Sequence, residues 1–317
     1  MKKIFASVFA IFLMWGACAD DNAAVNEIIS RYNASLGKAK ASCAGLSEQI
    51  DKVKLMAGIG IGAGAVGTIA GGTALATGIM KSQVDDDIQK YLKQQDDLDN
   101  ILKSKDLSNP GSLVELRNAL NALNTQSDKM LTDAKNKSQT LGNIRTGGAF
   151  VAGAGGAVGA ATSFSGTALL DKLAGDIDMC NSYVAEIEKQ TTELRLESPD
   201  DPAIAGMSKI VESCKGLNSK NIADVKSKLT AGGILSVVGA AAGITGGITS
   251  AIAVSKEKAG ASATTDGENG TKGLNMAANI SSGVAAAGNL GGAILSGVVL
   301  SGFMKNGEIA EKCKNAF

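Results

Sequence analysis

Four cysteines are the residues of this chain whose type and spacing have the clearest chemical consequence. The sequence contains five cysteines, and the first lies in an N-terminal stretch typical of a secretory signal. Cleavage after residue 19 leaves an even number in an exported chain, which indicates disulfide bonds. We predict the pairs Cys43–Cys180 and Cys214–Cys313. Four free thiols and pairing between the two halves of the chain are the alternatives.

Few other groups in the sequence are suited to catalysis. The chain contains no histidine, which excludes an imidazole base, a Ser–His pair and a histidine-containing zinc site. The cysteines lack CxxC spacing, and the run from Gly60 to Gly67 follows no strand and lacks the lysine of a phosphate-binding loop. We therefore expect no catalytic residue, no cofactor, no metal and no small-molecule substrate, and we predict that the protein is not an enzyme.

The charged residues do not point to a ligand either. The sequence has 31 basic and 31 acidic residues, so it offers no net charge for binding nucleic acid. Asp85, Asp86 and Asp87, and the later pair Asp96 and Asp97, are expected to form the solvated face of a helix.

The first 19 residues are predicted to be a signal peptide. They comprise Lys2 and Lys3, an apolar run over 4–15, and the small-x-small sequence Ala17–Ala19. This pattern predicts an exported protein of a bacterial-type cell envelope. Cys18 as the lipidated first residue is the alternative, although Trp15 stands where a lipoprotein signal has a small aliphatic side chain.

A row of small residues recurs in four uncharged segments, which span 55–80, 146–170, 229–255 and 273–304. The spacing of four and three residues continues an apolar heptad pattern. Each row therefore predicts a helix face that packs closely against another helix in a left-handed coil. The predicted packing glycines are Gly60, Gly64, Gly67, Gly71, Gly78, Gly148, Gly155, Gly159, Gly166, Gly232, Gly239, Gly243, Gly246, Gly288 and Gly292.

Two proline-containing turns, at 109–111 and 198–202, divide the chain into long helices, and no proline lies elsewhere. The Ser-Cys-x-Gly-Leu sequence at 42–46 recurs at 213–217, and both glycine rows recur after it. We predict an elongated all-α protein of two hairpins related by duplication, 20–198 and 203–317. They form a four-helix bundle with glycine-zipper seams, and residues 81–145 form a coiled-coil arm.

The register of each hairpin supports the cysteine pairing. In an antiparallel hairpin, the residue numbers of facing positions add to a nearly constant value. The centres of the glycine rows, the cysteine pair and the turn give sums that agree within about six. Because a difference in the sum is twice the shift along the hairpin, this corresponds to roughly 4 to 5 Å along the helix axis at ~1.5 Å per residue. The two disulfides are therefore expected to clamp the open ends of the hairpins.

The uncharged segments indicate a lipid bilayer as a partner, because each exceeds the ~20 residues that cross one. Loop 81–145 carries as many acidic as basic residues, so the positive-inside rule gives no support. We predict a structural or interaction protein of the envelope membrane, whose arm contacts a protein partner or a second copy. The alternative is a periplasmic or secreted pore-forming or translocator-like protein that is soluble before insertion.

Overall fold

The computed structural model describes residues 23–104, 110–265, 267 and 270–317. Within these ranges the chain is almost entirely helical and contains no strand, which confirms the all-α class. The helices are α1 (Ala23–Cys43), α2 (Leu46–Ser104), α3 (Pro110–Glu197), α4 (Ala203–Cys214), α5 (Lys220–Lys258) and α6 (Lys272–Ala316). The predicted signal peptide, including Cys18, lies outside the described residues.

Proline placement explains the length of α2 and α3, which run for 59 and 88 residues. Pro110 is the first residue of α3, a position where the missing N–H is not needed. The other two prolines lie between α3 and α4, where the Asp201 carboxylate accepts a hydrogen bond from the Ala203 amide at 2.8 Å. Because interior glycine disfavours a helix by about 1 kcal/mol relative to alanine, tertiary packing must stabilise these helices.

The recurring Cys-x-Gly-Leu sequence lies at a helix break in both places. The heptad pattern predicts continuous helices there, but α1 ends at Cys43 and α4 ends at Cys214. Gly216 has a φ of 102°, which favours glycine and stops α4. The Asn218 side chain then accepts a hydrogen bond from the Lys220 amide at 2.8 Å, at the start of α5.

The chain divides into two compact units. Unit 1 contains the described residues of 23–54, 168–226 and 301–317. Its interior consists of large apolar side chains that are at most 2% exposed. They include Leu46, Ile50, Leu173, Ile177, Ile187, Leu194, Met207 and Phe303.

Unit 2 contains the described residues of 55–167 and 227–300. Its interior is made of small residues, because the fully buried apolar side chains there are mainly alanines such as Ala74, Ala152 and Ala285. Most large apolar side chains of unit 2 lie on its surface, although Leu229 and Val299 are buried. Examples are Ile59, Val66, Ile69, Phe150, Val158, Ile234, Val238, Ile248, Ile280 and Ile294.

Glycine sets the distance between the helices of unit 2. A β-carbon on Gly155 of α3 would lie 2.9 Å from the Cα atom of Gly67 in α2. One on Gly288 of α6 would lie 2.9 Å from the Cα atom of Gly239 in α5. At all of the glycines predicted to pack, a β-carbon would come within 3.2 Å of another helix, whereas none would meet an atom within 4 Å at Gly62.

Candidate functional site

Four charged side chains, two of each sign, are buried together in unit 2. Lys81 and Arg145 are 0% exposed and Asp85 is 5% exposed, and the side chain of Glu257 is 8% exposed. The Lys81 ammonium lies 2.5 Å from the Asp85 carboxylate and 2.9 Å from that of Glu257. We call these four residues the charge cluster.

Arg145 connects α3 to α5 and α6. Its Nε atom donates a hydrogen bond to Ser250 Oγ at 2.8 Å. Its Nη2 atom donates to Asn275 Oδ1 at 2.7 Å, and its Nη1 atom donates to Asn279 Oδ1 at 3.3 Å. The guanidinium is thus held in one orientation by side chains of two other helices.

Hydrogen bonds also hold both carboxylates. Ser138 donates to Asp85 at 2.5 Å, while Thr271 and the Asn275 amide donate to Glu257 at 2.7 and 2.8 Å. Burial raises the pKa of Asp85 above its usual value, against the opposing effect of Lys81 and Ser138. Burial also acts to raise the pKa of Glu257, but hydrogen bonds from Thr271, Asn275 and Lys81 outweigh it and lower the pKa.

The charge cluster continues the heptad positions of the glycine rows. Lys81 and Asp85 follow Gly78 by three and seven residues, and Arg145 precedes Gly148 by three. Glu257 likewise follows Ser250 by seven residues. All four side chains therefore point the same way as the packed glycines, into unit 2. The sequence interpretation missed this continuation.

The buried position of Asp85 corrects one expectation. Asp85, Asp86 and Asp87 were expected on a solvated helix face, and Asp86 and Asp87 are exposed. Asp85 is buried because it occupies the inward heptad position and pairs with Lys81 one turn earlier. A charged pair at i and i+4 within the small-residue frame was the signal that could have revealed the site.

Two open cavities of about 270 and 260 Å³ adjoin Asp85. The first is lined by Gln89, Lys135 and Ser262 among others, and the second by Asp86 and Lys272 among others. Both linings mix acidic, basic and neutral polar side chains. Each lining contains two carboxylates and one lysine, so neither cavity is suited to an anion.

Asn289 is the most deeply buried amide of unit 2. It is 0% exposed, and its Nδ2 atom donates a hydrogen bond to the Ala152 carbonyl oxygen at 2.9 Å. Its Oδ1 atom has no hydrogen-bond donor among the described residues. Gly67, Gly156 and Gly239, from three other helices, leave the space that the amide occupies.

The cysteines of unit 1 form two disulfide bonds. Cys43 is joined to Cys180 with a Cα–Cα distance of 5.1 Å, and Cys214 to Cys313 with 4.4 Å. These are the pairs that the hairpin register predicts. The Sγ atoms of Cys43, Cys180 and Cys313 all lie within 4.8 Å of one another, so the two bonds are neighbours in the core. We call the four sulfur atoms the sulfur cluster.

Three described helical stretches are long and apolar enough to cross a membrane by length and composition. They are Ala24–Lys93, Lys220–Lys258 and Lys272–Ala316. The predicted segment 146–170 of α3 is not among them, since glycine and hydroxyl side chains make it less apolar.

No protein-family model, no curated protein and no solved structure matches this chain.

Proposed function

We propose that the protein is a non-enzymatic structural or interaction protein of the cell envelope, anchored in a membrane by unit 2. The observation that carries this proposal is the inverted distribution of side chains in unit 2. Ile69 and Ile294 are 71% and 57% exposed, whereas Ser250, Ser282 and Asn289 are fully buried. In water this arrangement would leave aliphatic surface hydrated and polar groups desolvated, whereas lipid solvates the same surface favourably.

The glycine contacts support a four-helix bundle with glycine-zipper seams as the anchor. Lipid provides no hydrophobic drive between helices, so close backbone contact and interhelical hydrogen bonds must supply the attraction. The contact of Gly155 with Gly67 and that of Gly288 with Gly239 are of this kind. The matching Cys-x-Gly-Leu interruptions support an origin by duplication.

The proposed topology has all four uncharged segments cross the membrane, including 146–170, which is less apolar than the other three and packs against α2 and α5 through Gly155 and Gly153. Each crossing changes the side of the membrane, so residues 81–145 and 256–272 share one face. All four paired cysteines then share the other face, which is the oxidising one for an exported chain. We propose that the arm, residues 81–145, contacts a protein partner or a second copy from the opposite face.

Membrane extraction combined with cysteine labelling tests this proposal. The expected result is that the protein stays with the membrane after alkaline carbonate treatment and floats with lipid. Introduced cysteines at Lys90 and Gly206, which are both exposed, should react with an impermeant maleimide on opposite sides. Release into the soluble fraction would overturn the anchor, and labelling of both positions from one side would overturn the topology.

A second candidate function is a pore-forming or translocator-like protein that is soluble before insertion. The observation favouring it is the polar interior of unit 2, in which the Asn289 Oδ1 atom has no donor among the described residues. A pore-former should release dye from liposomes after assembling into oligomers. Dye retention at protein concentrations that saturate binding would exclude this candidate while leaving the anchor intact.

A further inference from the structure

The sulfur cluster brings together four side chains that bind soft cations when they are thiolates. Cys43, Cys180, Cys214 and Cys313 are each at most 1% exposed and come from four different helices. The two disulfides account for their oxidised state. The chain is synthesised with reduced cysteines, however, so a state with four thiols precedes both bonds.

The spacing of the sulfur atoms suits a tetrahedral ion. A Zn²⁺ ion binds thiolates at about 2.3 Å, which places neighbouring sulfurs about 3.8 Å apart. The Sγ atoms of Cys43, Cys180 and Cys313 already lie within 4.8 Å of one another, and that of Cys214 is bonded to Cys313. Opening both S–S bonds and rotating the side chains about their Cα–Cβ bonds is the movement that would place all four around one ion.

We propose that the reduced chain binds one Zn²⁺ ion through Cys43, Cys180, Cys214 and Cys313, before its disulfides form. Binding displaces the thiol protons, up to four per ion, so the affinity rises with pH. Two equivalents of a disulfide-class oxidant then remove four electrons from the four thiolates. The two S–S bonds form, the oxidants are reduced to four thiolates, and the ion is released. Metal and disulfides are thus alternative ways of closing the core of unit 1.

Chemistry and location select the class of ion. Thiolates prefer soft or borderline cations such as Zn²⁺ over Mg²⁺ or Ca²⁺, which take oxygen ligands. Large apolar side chains, among them Leu46 and Leu173, fill the core of unit 1. The proposal does not depend on the membrane anchor, because all four ligands belong to unit 1.

Cobalt titration tests the site in the full chain carrying Cys18→Ser, which leaves only the four paired cysteines. After anaerobic reduction by a phosphine, one Co²⁺ per chain should bind with the thiolate-to-cobalt charge-transfer band and the visible spectrum of tetrahedral cobalt. Zn²⁺ should displace it stoichiometrically. The oxidised chain should bind none.

Two variants separate a built site from scattered thiols. Cys313→Ser should abolish the four-sulfur spectrum, whereas Met179→Ser, at a position that is 48% exposed and beside Cys180, should leave it unchanged. Absence of the charge-transfer band, or a spectrum unaffected by Cys313→Ser, would overturn the proposal.

The proposal can also be tested if reduction unfolds the chain. If unit 1 unfolds on reduction, Zn²⁺ should restore its helicity and its tyrosine fluorescence, because metal binding is then coupled to folding. A reduced chain that stays unfolded in saturating Zn²⁺ would show that the sulfur cluster is not a metal site.

Discussion

Unit 1 and unit 2 share helices α2, α3, α5 and α6 but distribute side-chain size in opposite directions. In unit 1 the large apolar side chains are inside, and Met179, Leu196 and Met304 are the only exposed ones among its described residues. In unit 2 small residues are inside and most large aliphatic ones are outside. One heptad pattern is therefore compatible with two environments. The pattern determines which face of a helix packs against other helices, and the size of the apolar residues on the opposite face determines whether that face suits water or lipid.

Removal of both disulfides should produce the largest difference between the units. In Cys43→Ser/Cys180→Ser/Cys214→Ser/Cys313→Ser we expect unit 1 to lose up to about 4 to 5 kcal/mol for each bond, since each closes a loop of roughly 100 residues or more. Tyrosine fluorescence in urea reports on unit 1 through Tyr32 and Tyr183. Tyr91→Phe serves as the background because Tyr91 lies in unit 2. An unchanged urea midpoint would contradict the clamp.

Removal of the buried ammonium should destabilise unit 2 almost as strongly. Lys81→Met removes the ammonium that Asp85 and Glu257 share, and breaking a buried pair in this way costs about 3 to 5 kcal/mol. Thermal unfolding in detergent, followed by circular dichroism, measures the loss. Lys90→Met is the control, because that side chain is 76% exposed and its change should stay within about 0.5 kcal/mol.

Charged substitutions on the outer faces test whether the surfaces of the two units face different solvents. Ile69→Lys in unit 2 should oppose membrane insertion by about 2.5 to 3.5 kcal/mol and lower the membrane-bound fraction. Leu196→Lys in unit 1 replaces a side chain that is 79% exposed and should have no effect on membrane binding. Quantitative flotation of the two variants decides the point, and equal behaviour would remove the distinction between the surfaces.

Alanine at inward and outward glycines should have effects of opposite sign. Gly155→Ala places a β-carbon 2.7 Å from the Ala63 carbonyl oxygen and should destabilise unit 2 by about 1 to 3 kcal/mol through overpacking. Gly62→Ala meets nothing within 4 Å and should stabilise the helix by about 0.5 to 1 kcal/mol. Melting temperatures in the same detergent compare them. A loss at both positions would argue against the packing described here.

Acidification should change the stability contributions of the two carboxyl groups of the charge cluster in opposite directions. We expect this change in stability to be smaller than those of the substitutions above. The pKa of Glu257 is lowered on folding, so its contribution to stability is present above its unfolded pKa and is lost as the pH falls. The pKa of Asp85 is raised, so its contribution is greatest at low pH and declines as the pH rises through the folded value.

One variant at each carboxyl group tests these opposite pH dependences. Glu257→Gln should lose less stability than the unaltered chain on going from neutral to acidic pH, whereas Asp85→Asn should lose more. Melting temperature as a function of pH measures both slopes. Identical slopes for the two variants would contradict the assigned directions.

Much of the fold was predictable because its signals are local or periodic. Pro199 and Pro202 predicted the break between α3 and α4, and the four-three spacing predicted which glycines lie close to other helices. Of the other predicted turn, 109–111, residues 110 and 111 begin α3 and residue 109 lies outside the described residues. Buried charge was missed because Lys81 and Asp85 were interpreted by residue type rather than by heptad position. The helix breaks at Gly45 and Gly216 were missed because the apolar pattern continues across them.

Side-chain order along the chain determined the all-α class, the inward face of each helix and the cysteine pairing, since all three depend on spacing within antiparallel helices. Only the tertiary structure decided that α3 also packs against α5 in unit 2, where Gly153 and Gly243 meet, because the register within one hairpin does not specify contacts with the other. Only the tertiary structure also brought the four charges into one cluster and the two disulfides into contact. Each requires several helices to meet at one level, and no periodicity within a single helix encodes that meeting.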